Sequence, residues 1–306
     1  MTKDTYMTQS PRQIGLVDTT LRDGHQAPGL VLSIETRERI IKALDEAQVD
    51  RLEALAPGFT PKETAAAKRW TRLSQRAKII AWNRLNLSDV EASMALKPHI
   101  IHVCFPCSKI QLREKLNMDF DSAAKILEKC LDLARLNGFE VSVGLEDASR
   151  VAFENLTRIR TLLGYLQVEN LRISDTCGVL TPTSTRRLVE YFNTGNFVIE
   201  FHAHDDLGLA EVNSLIAALS GAQYIHTSLK GLGERAGNAS FSGFIKLAEK
   251  SNQIALKLTS AEALAIEESF AQELDRSAFM ENLKTSPGSD ITDWIAQHSG
   301  PQRFDR

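Results

Sequence analysis

The chain has 306 residues, 43% of them hydrophobic and 25% charged, and 36 basic against 39 acidic side chains leave a net charge of −3. That composition describes a globular chain with a large core and excludes a disordered polymer. It carries no global basic field to recruit nucleic acid and no run of about 18 apolar residues to span a membrane. Residues 1–13 are polar and lack the apolar centre of a signal peptide, so they read as an N-terminal tail on a protein expected in the cytoplasm.

Eight short apolar runs follow, at 14–18, 49–55, 78–82, 100–105, 140–145, 171–174, 197–202 and 223–229. Helix-like stretches such as 34–44 and 123–134 lie between them, with apolar residues every three or four positions, and Gly138, Gly195 and Gly221 sit where helices should stop. Eight strands alternating with helices predict a parallel α/β sheet, most simply a closed (β/α)8 TIM barrel over 14–250. An open doubly wound sheet is the alternative, but no strand is followed by a G-x-G-x-x-G turn. Beyond 250 the strand pattern stops, leaving a short helical extension over 251–306: a helix at 261–274, a shorter one at 277–283, then a loose tail.

In such a barrel the C-terminal strand ends share one mouth, where catalytic groups gather. The first run leads into Asp18-Thr-Thr-Leu-Arg22-Asp23-Gly24-His25-Gln26. Arg22 and Asp23 can supply an anion-binding fork and a metal-binding carboxylate; a solvated ion pair is the plainer alternative. The fourth run holds His102, the fifth leads to Glu146 and Asp147, and the sixth to Asp175 and Thr176. Each alone reads most plainly as a cap or loop brace, Asp147 and Asp175 above all. The seventh ends in His202-Ala203-His204, two imidazoles on one face of a strand, a costly burial unless a divalent metal binds them. The eighth leads into Lys230-Gly-Leu-Gly-Glu234-Arg235-Ala-Gly237-Asn238, where glycines permit a tight turn, Asn238 can offer an oxygen ligand and Glu234–Arg235 can brace the loop. The four cysteines, with one C-x-x-C pair at Cys104 and Cys107 and the others distant at Cys130 and Cys177, read as small buried or half-buried thiols.

In the segments 18–26, 145–150, 202–208 and 231–238 the chain resembles the metal-dependent TIM-barrel metallolyase family that includes isopropylmalate, homocitrate and citramalate synthases and hydroxymethylglutaryl-CoA lyase. Segments 101–108 and 142–150 look most like homocitrate synthases of the nitrogen-fixation type. The resemblance implies a divalent metal (Mg, Mn, Zn, Co or Fe) on Asp23, His202, His204 and Asn238, with Arg22, Glu146 and His102 catalytic and Gln26, Thr176 and Ser142 binding substrate. It further implies acetyl-CoA condensing with a 2-oxo acid, thioester hydrolysis, and a homodimer with no nucleic-acid or membrane partner. A C–C lyase acting on a hydroxyacyl-CoA is the second reading, and a catalytically lapsed binding protein the third. The chain departs from the family at His25, Asp205 and Lys230, and at Ser142, where lysine-pathway enzymes hold a distal carboxylate with arginine. The synthases' His-Glu-Ser-Gly-Ile-His motif has no counterpart after Asn238, where the remaining histidine is His298. Either His298 or a barrel residue takes the role of base, or the reaction differs; a barrel base is the favoured expectation, because His298 falls in the expected tail.

Overall fold

The computed structural model describes residues 10–276, so the helix expected at 277–283, the tail after it and His298 lie outside the described residues. Strands β2 (Gly15–Asp18), β3 (Arg51–Leu55), β4 (Lys78–Asn83), β5 (Ile100–Pro106), β6 (Glu140–Glu146), β7 (Asn170–Asp175), β8 (Val198–Ala203) and β9 (Tyr224–Thr227) close into one barrel. Every pairing is parallel, including the closing pair β2–β9. This is the expected (β/α)8 architecture. Such strands are covered on both sides, which is why they read as continuous apolar runs; all seven residues of β5 are buried.

Helices α1 (Ile34–Glu46), α2 (Pro61–Leu73), α3 (Leu87–Met94), α4 (Phe120–Leu136), α5 (Phe153–Tyr165), α6 (Pro182–Asn193), α7 (Ala210–Ser220) and α8 (Phe241–Ser251) form the outer sleeve. Helix α4 shows the logic: Ala123, Leu127, Cys130, Leu131 and Ala134 make one buried stripe, Asp119 accepts from the Ser122 N–H at its start, and Gly138 (φ 80°) ends the turn after it. Thr60 and Thr181 close capping boxes ahead of α2 and α6, each with a proline in the first turn. Inside the barrel, Val17, Ile80 and Ile100 pack with Tyr224 as a small apolar plug, separate from the main core under the helices.

Three expectations need correcting. The strand pattern does not stop at 250, and the segment before residue 14 is not all tail: β1 (Arg12–Gln13) pairs in parallel with β10 (Ile254–Ala255) outside the barrel. Two-residue strands carry too little periodicity to be read from sequence. Helix α9 (Ser260–Ser269) is shorter than 261–274, because the chain turns at Phe270, and Phe270 and Leu274 are buried after the helix. Its buried Glu267 accepts from the backbone N–H of Lys230 at 2.7 Å, so α9 anchors the glycine-rich loop.

Candidate active site at the barrel mouth

Asp23 follows β2, and His202 and His204 stand two residues apart at the end of β8, so the barrel's closure brings together groups about 180 positions distant in sequence. Asp23 Oδ2 lies 3.2 Å from His202 Nε2 and 3.7 Å from His204 Nε2, and the two Nε2 atoms are 3.3 Å apart. All three residues are buried, and theirs is the group of His, Cys, Asp and Glu side chains among the described residues whose ligand atoms lie within 4.8 Å of one another. Ligands bonded at about 2.1 Å to one octahedral cation lie roughly 3 Å apart, so the spacing needs little adjustment to hold one. Burial opposes ionisation of Asp23, but Arg22, His202 and His204 hold its carboxyl well below the usual range. Burial pushes His204 down to about 4, leaving the neutral imidazole that binds metals.

Asn238 joins the group through the loop after β9. It forms an antiparallel bridge with His204, its Nδ2 donates to the Leu232 carbonyl at 2.9 Å, and its buried Oδ1 has no partner. A Cβ at Gly233 would collide with Asn238 and approach Asp23 Oδ1 to 3.2 Å, which is why that position needs glycine. The Glu234–Arg235 brace is present and larger than expected. Arg235 reaches Glu234 at 3.3 Å, takes Asp206 with both Nε and Nη2, and donates to the Thr176 carbonyl.

Arg22 lies against the same cluster, with Nη1 3.4 Å from Asp23 and its guanidinium 5.1 Å above the Trp82 ring. Its Nε donates to Glu53 at 2.5 Å, and its Nη2 also contacts Glu53. On the opposite rim Thr176 Oγ1 donates to Glu146 at 3.2 Å and accepts from the Asp147 N–H. His102 Nδ1 pairs with Ser142 Oγ at 2.7 Å deeper in the barrel, and its Nε2 is buried without a partner. Gln26 is half-buried in the one-turn helix after Asp23, outside the ligand group.

The plainer reading holds for two acids. Asp147 takes a two-pronged contact from Arg150 and bonds Ser108, and Asp175 accepts from the N–H groups of Val179 and Leu180, so both brace loops. Cys104, Cys107 and Cys130 are buried and Cys177 half-buried.

A layer of charge beneath the mouth is not anticipated by the strand-end motifs. Glu53 joins Arg22 to Arg172, whose Nη2 lies 2.5 Å from it across the barrel. Arg172 also reaches Glu200 at 3.4 Å, and Glu200 contacts Arg51 and accepts from His226 Nε2 at 2.9 Å. The ring of His226 packs edge-on against His202, 5.3 Å between centroids. Burial, with Arg172 beside it, lowers His226 to about 3, while Arg172 and Arg22 overcome burial to keep Glu53 ionised. The available signal was a charged residue inside an otherwise buried strand, as in Leu171-Arg172-Ile173 and Ile199-Glu200-Phe201.

A closed parallel barrel carrying a carboxylate, two imidazoles and an arginine at its C-terminal mouth defines the TIM-barrel class, whose active sites gather at that face. Residues 13–277 match the HMGL-like family, and the chain belongs to it. It is 34% identical over 238 residues to the homocitrate synthase subunit alpha of Clostridium pasteurianum, covering 78% of this chain and 88% of that one. It is 36% identical over 223 residues to homocitrate synthase 1 of Nostoc, covering 72% of this chain and 59% of that one. A probable 2-isopropylmalate synthase of Archaeoglobus fulgidus is 32% identical over 235 residues, or 76% of this chain and 47% of that one. The chain thus spans about half the length of the latter two. The hydroxymethylglutaryl-CoA lyase of Pseudomonas aeruginosa shares the fold, with a TM-score of 0.74, 20% identity and coverage of 94% and 98% of the two chains. No helix among the described residues is long and apolar enough to cross a membrane.

Proposed function

We propose that the protein is an acyltransferase that condenses acetyl-CoA with a 2-oxo acid at a divalent cation held by Asp23, His202 and His204, with Asn238 as a further ligand. The observation that carries this reading is the convergence of those buried ligand atoms with Arg22, in a chain whose relatives include homocitrate and isopropylmalate synthases. A bound cation would supply Lewis-acid polarisation of the acid's keto group.

Arg22, fixed by Glu53 and Trp82, faces the same oxygen and stabilises its developing negative charge. Thr176, at the opposite rim, donates its hydroxyl hydrogen bond to Glu146 and so holds that carboxylate in place. The acetyl methyl group loses a proton to a barrel base, a role we give to Glu146, and the resulting carbanion bonds the keto carbon. The keto oxygen takes up a proton, and water then cleaves the thioester, releasing free coenzyme A thiol.

The test is to supply Mg²⁺ or Mn²⁺, acetyl-CoA and a panel of 2-oxo acids, and follow free thiol. Thiol release with one acid is expected; cleavage of a hydroxyacyl-CoA instead would make the protein a lyase, and silence toward both with no metal bound would leave a binding protein. Arg22→Ala should retain metal but lose roughly 10²-fold or more in turnover. Unchanged turnover would remove Arg22 from the chemistry.

A further inference from the structure

We infer that Glu267, on the helix that follows the barrel, is a positioning residue for the cation: it holds the loop that carries Asn238, so α9 sets how tightly the cation binds. The inference deepens the condensation reading and rests on its cation site. Glu267 is 4% exposed, and the three donors it accepts from are uncharged. Oε1 takes the N–H groups of Lys230 at 2.7 Å and Ser242 at 3.3 Å, and Oε2 takes the Ser242 hydroxyl at 2.6 Å. Ser242 stands in the first turn of α8, where open N–H groups favour a negative charge. A helix that merely packed on the barrel would present an apolar side chain here, since burying a carboxylate is costly unless donors satisfy it.

The loop needs that tie. Lys230 has φ 54°, in the left-handed region that a side-chain-bearing residue resists, and Gly231 follows at φ 67°. Two consecutive N–H groups at this turn are held by different elements, Leu229 by Thr20 Oγ1 at 2.8 Å and Lys230 by Glu267. Thr20 belongs to the segment that leads into Asp23, so one tie joins the two ligand-bearing loops and the other fastens them to α9.

From the turn the path to the ligand is short. The Gly231 carbonyl accepts the Asn238 N–H at 2.9 Å, and the Leu232 carbonyl accepts Asn238 Nδ2 at 2.9 Å. These bonds fix both the backbone and the amide plane of Asn238 and leave its Oδ1 without a partner. A Cβ at Gly237 would lie 2.1 Å from the Gly231 carbonyl oxygen, so the two arms of the loop touch. In such close packing a shift at 230 is passed to 238 rather than absorbed.

Calorimetric titration of the full chain with Mn²⁺ tests this. Glu267→Met, which fills the space and removes the acceptors, should weaken Mn²⁺ binding about 10-fold, the lower end for losing a residue that orients a ligand. Glu267→Gln, which still offers an oxygen to the Lys230 N–H, should stay within about 3-fold of the wild type. In an Asn238→Ala background, Glu267→Met should cost less than about 2-fold further, because the side chain it acts through is already gone. A purely structural role would lower the melting temperature and leave the Mn²⁺ affinity of the folded protein as it was. Coupling is reciprocal, so saturating Mn²⁺ should slow amide hydrogen exchange in α9 of the wild type by up to about 10-fold. That measurement needs no variant and decides the matter if Glu267→Met does not fold. Unchanged affinity in Glu267→Met, a loss that adds in full to that of Asn238→Ala, or α9 exchange indifferent to Mn²⁺ overturns the inference and leaves the condensation reading intact. A wild type that binds no Mn²⁺ overturns the cation site itself, and the inference with it.

Discussion

The two sides of the barrel mouth hold similar residues in opposite states. On the β6–β7 side, Asp147 and Asp175 spend their oxygens on Arg150, Ser108 and the loop N–H groups of Val179 and Leu180. On the β2–β8 side, Asp23 Oδ2 and the Nε2 atoms of His202 and His204 converge on one point, and the buried Oδ1 of Asn238 beside them lacks a partner. A buried polar group that the protein itself satisfies is structural, whereas a convergent set left open is a binding site. Residue type does not separate them; hydrogen-bond accounting does.

Substitutions on the two sides should therefore fail differently. His202→Ala should abolish metal retention, a loss larger than the roughly 10–100-fold typical of removing a supporting residue, with little change in melting behaviour. Unchanged metal content by elemental analysis would dissolve the contrast. Asp147→Ala should do the reverse, costing about 3 kcal/mol in denaturant unfolding by stripping Arg150 and Ser108 of a buried charged acceptor, while the metal stays. If it instead releases metal, Asp147 belongs to the site.

A smaller effect is expected from pH with the cation chelated. Burial, with Arg37 nearby, lowers His25 to about 4, and His226 lies at about 3, both below the free value of about 6.5. Below that value the unfolded chain takes up protons that the folded chain refuses, so the stability these groups contribute is present near pH 7 and is lost toward pH 4 and 3. Burial raises Asp18 to about 7, so its folded form keeps a proton that the unfolded form releases, and it works in the opposite direction between about pH 4 and 7. With His25, His226 and His204, the last also lowered to about 4, set against Asp18, melting temperature should fall from pH 7.5 to 5, and Asp18→Asn should steepen the fall. A flat or rising profile would contradict this balance.

The barrel was legible because its strands are covered on both faces and stand out as apolar runs between amphipathic helices. The ligand set was legible for a different reason: each contribution is a short local cluster at a strand end, such as His202-Ala203-His204. What stayed hidden was partnership. Glu53, Arg172 and Glu200 are visible as charges in buried strands, yet Arg51 meets Glu200 across 149 positions and Arg172 meets Glu53 across the lumen. Local pattern says such residues point inward without saying whom they face. The β1–β10 pair escaped because two residues make no period, and Glu267 because an acid on a helix reads as solvated until the loop it holds is in place.

The buried layer also constrains how this sequence can change over generations. Glu53, Glu200 and Arg172 each answer to at least two others of the layer, and Arg22 and Arg51 to one glutamate each, so replacing one strands a charge in a low-dielectric interior, where removing a partner costs about 3–5 kcal/mol. A lineage can leave this arrangement only by exchanging members in compensating pairs. Variation at position 53 should then be inherited together with variation at 22 or 172, and variation at 200 together with 51 or 226.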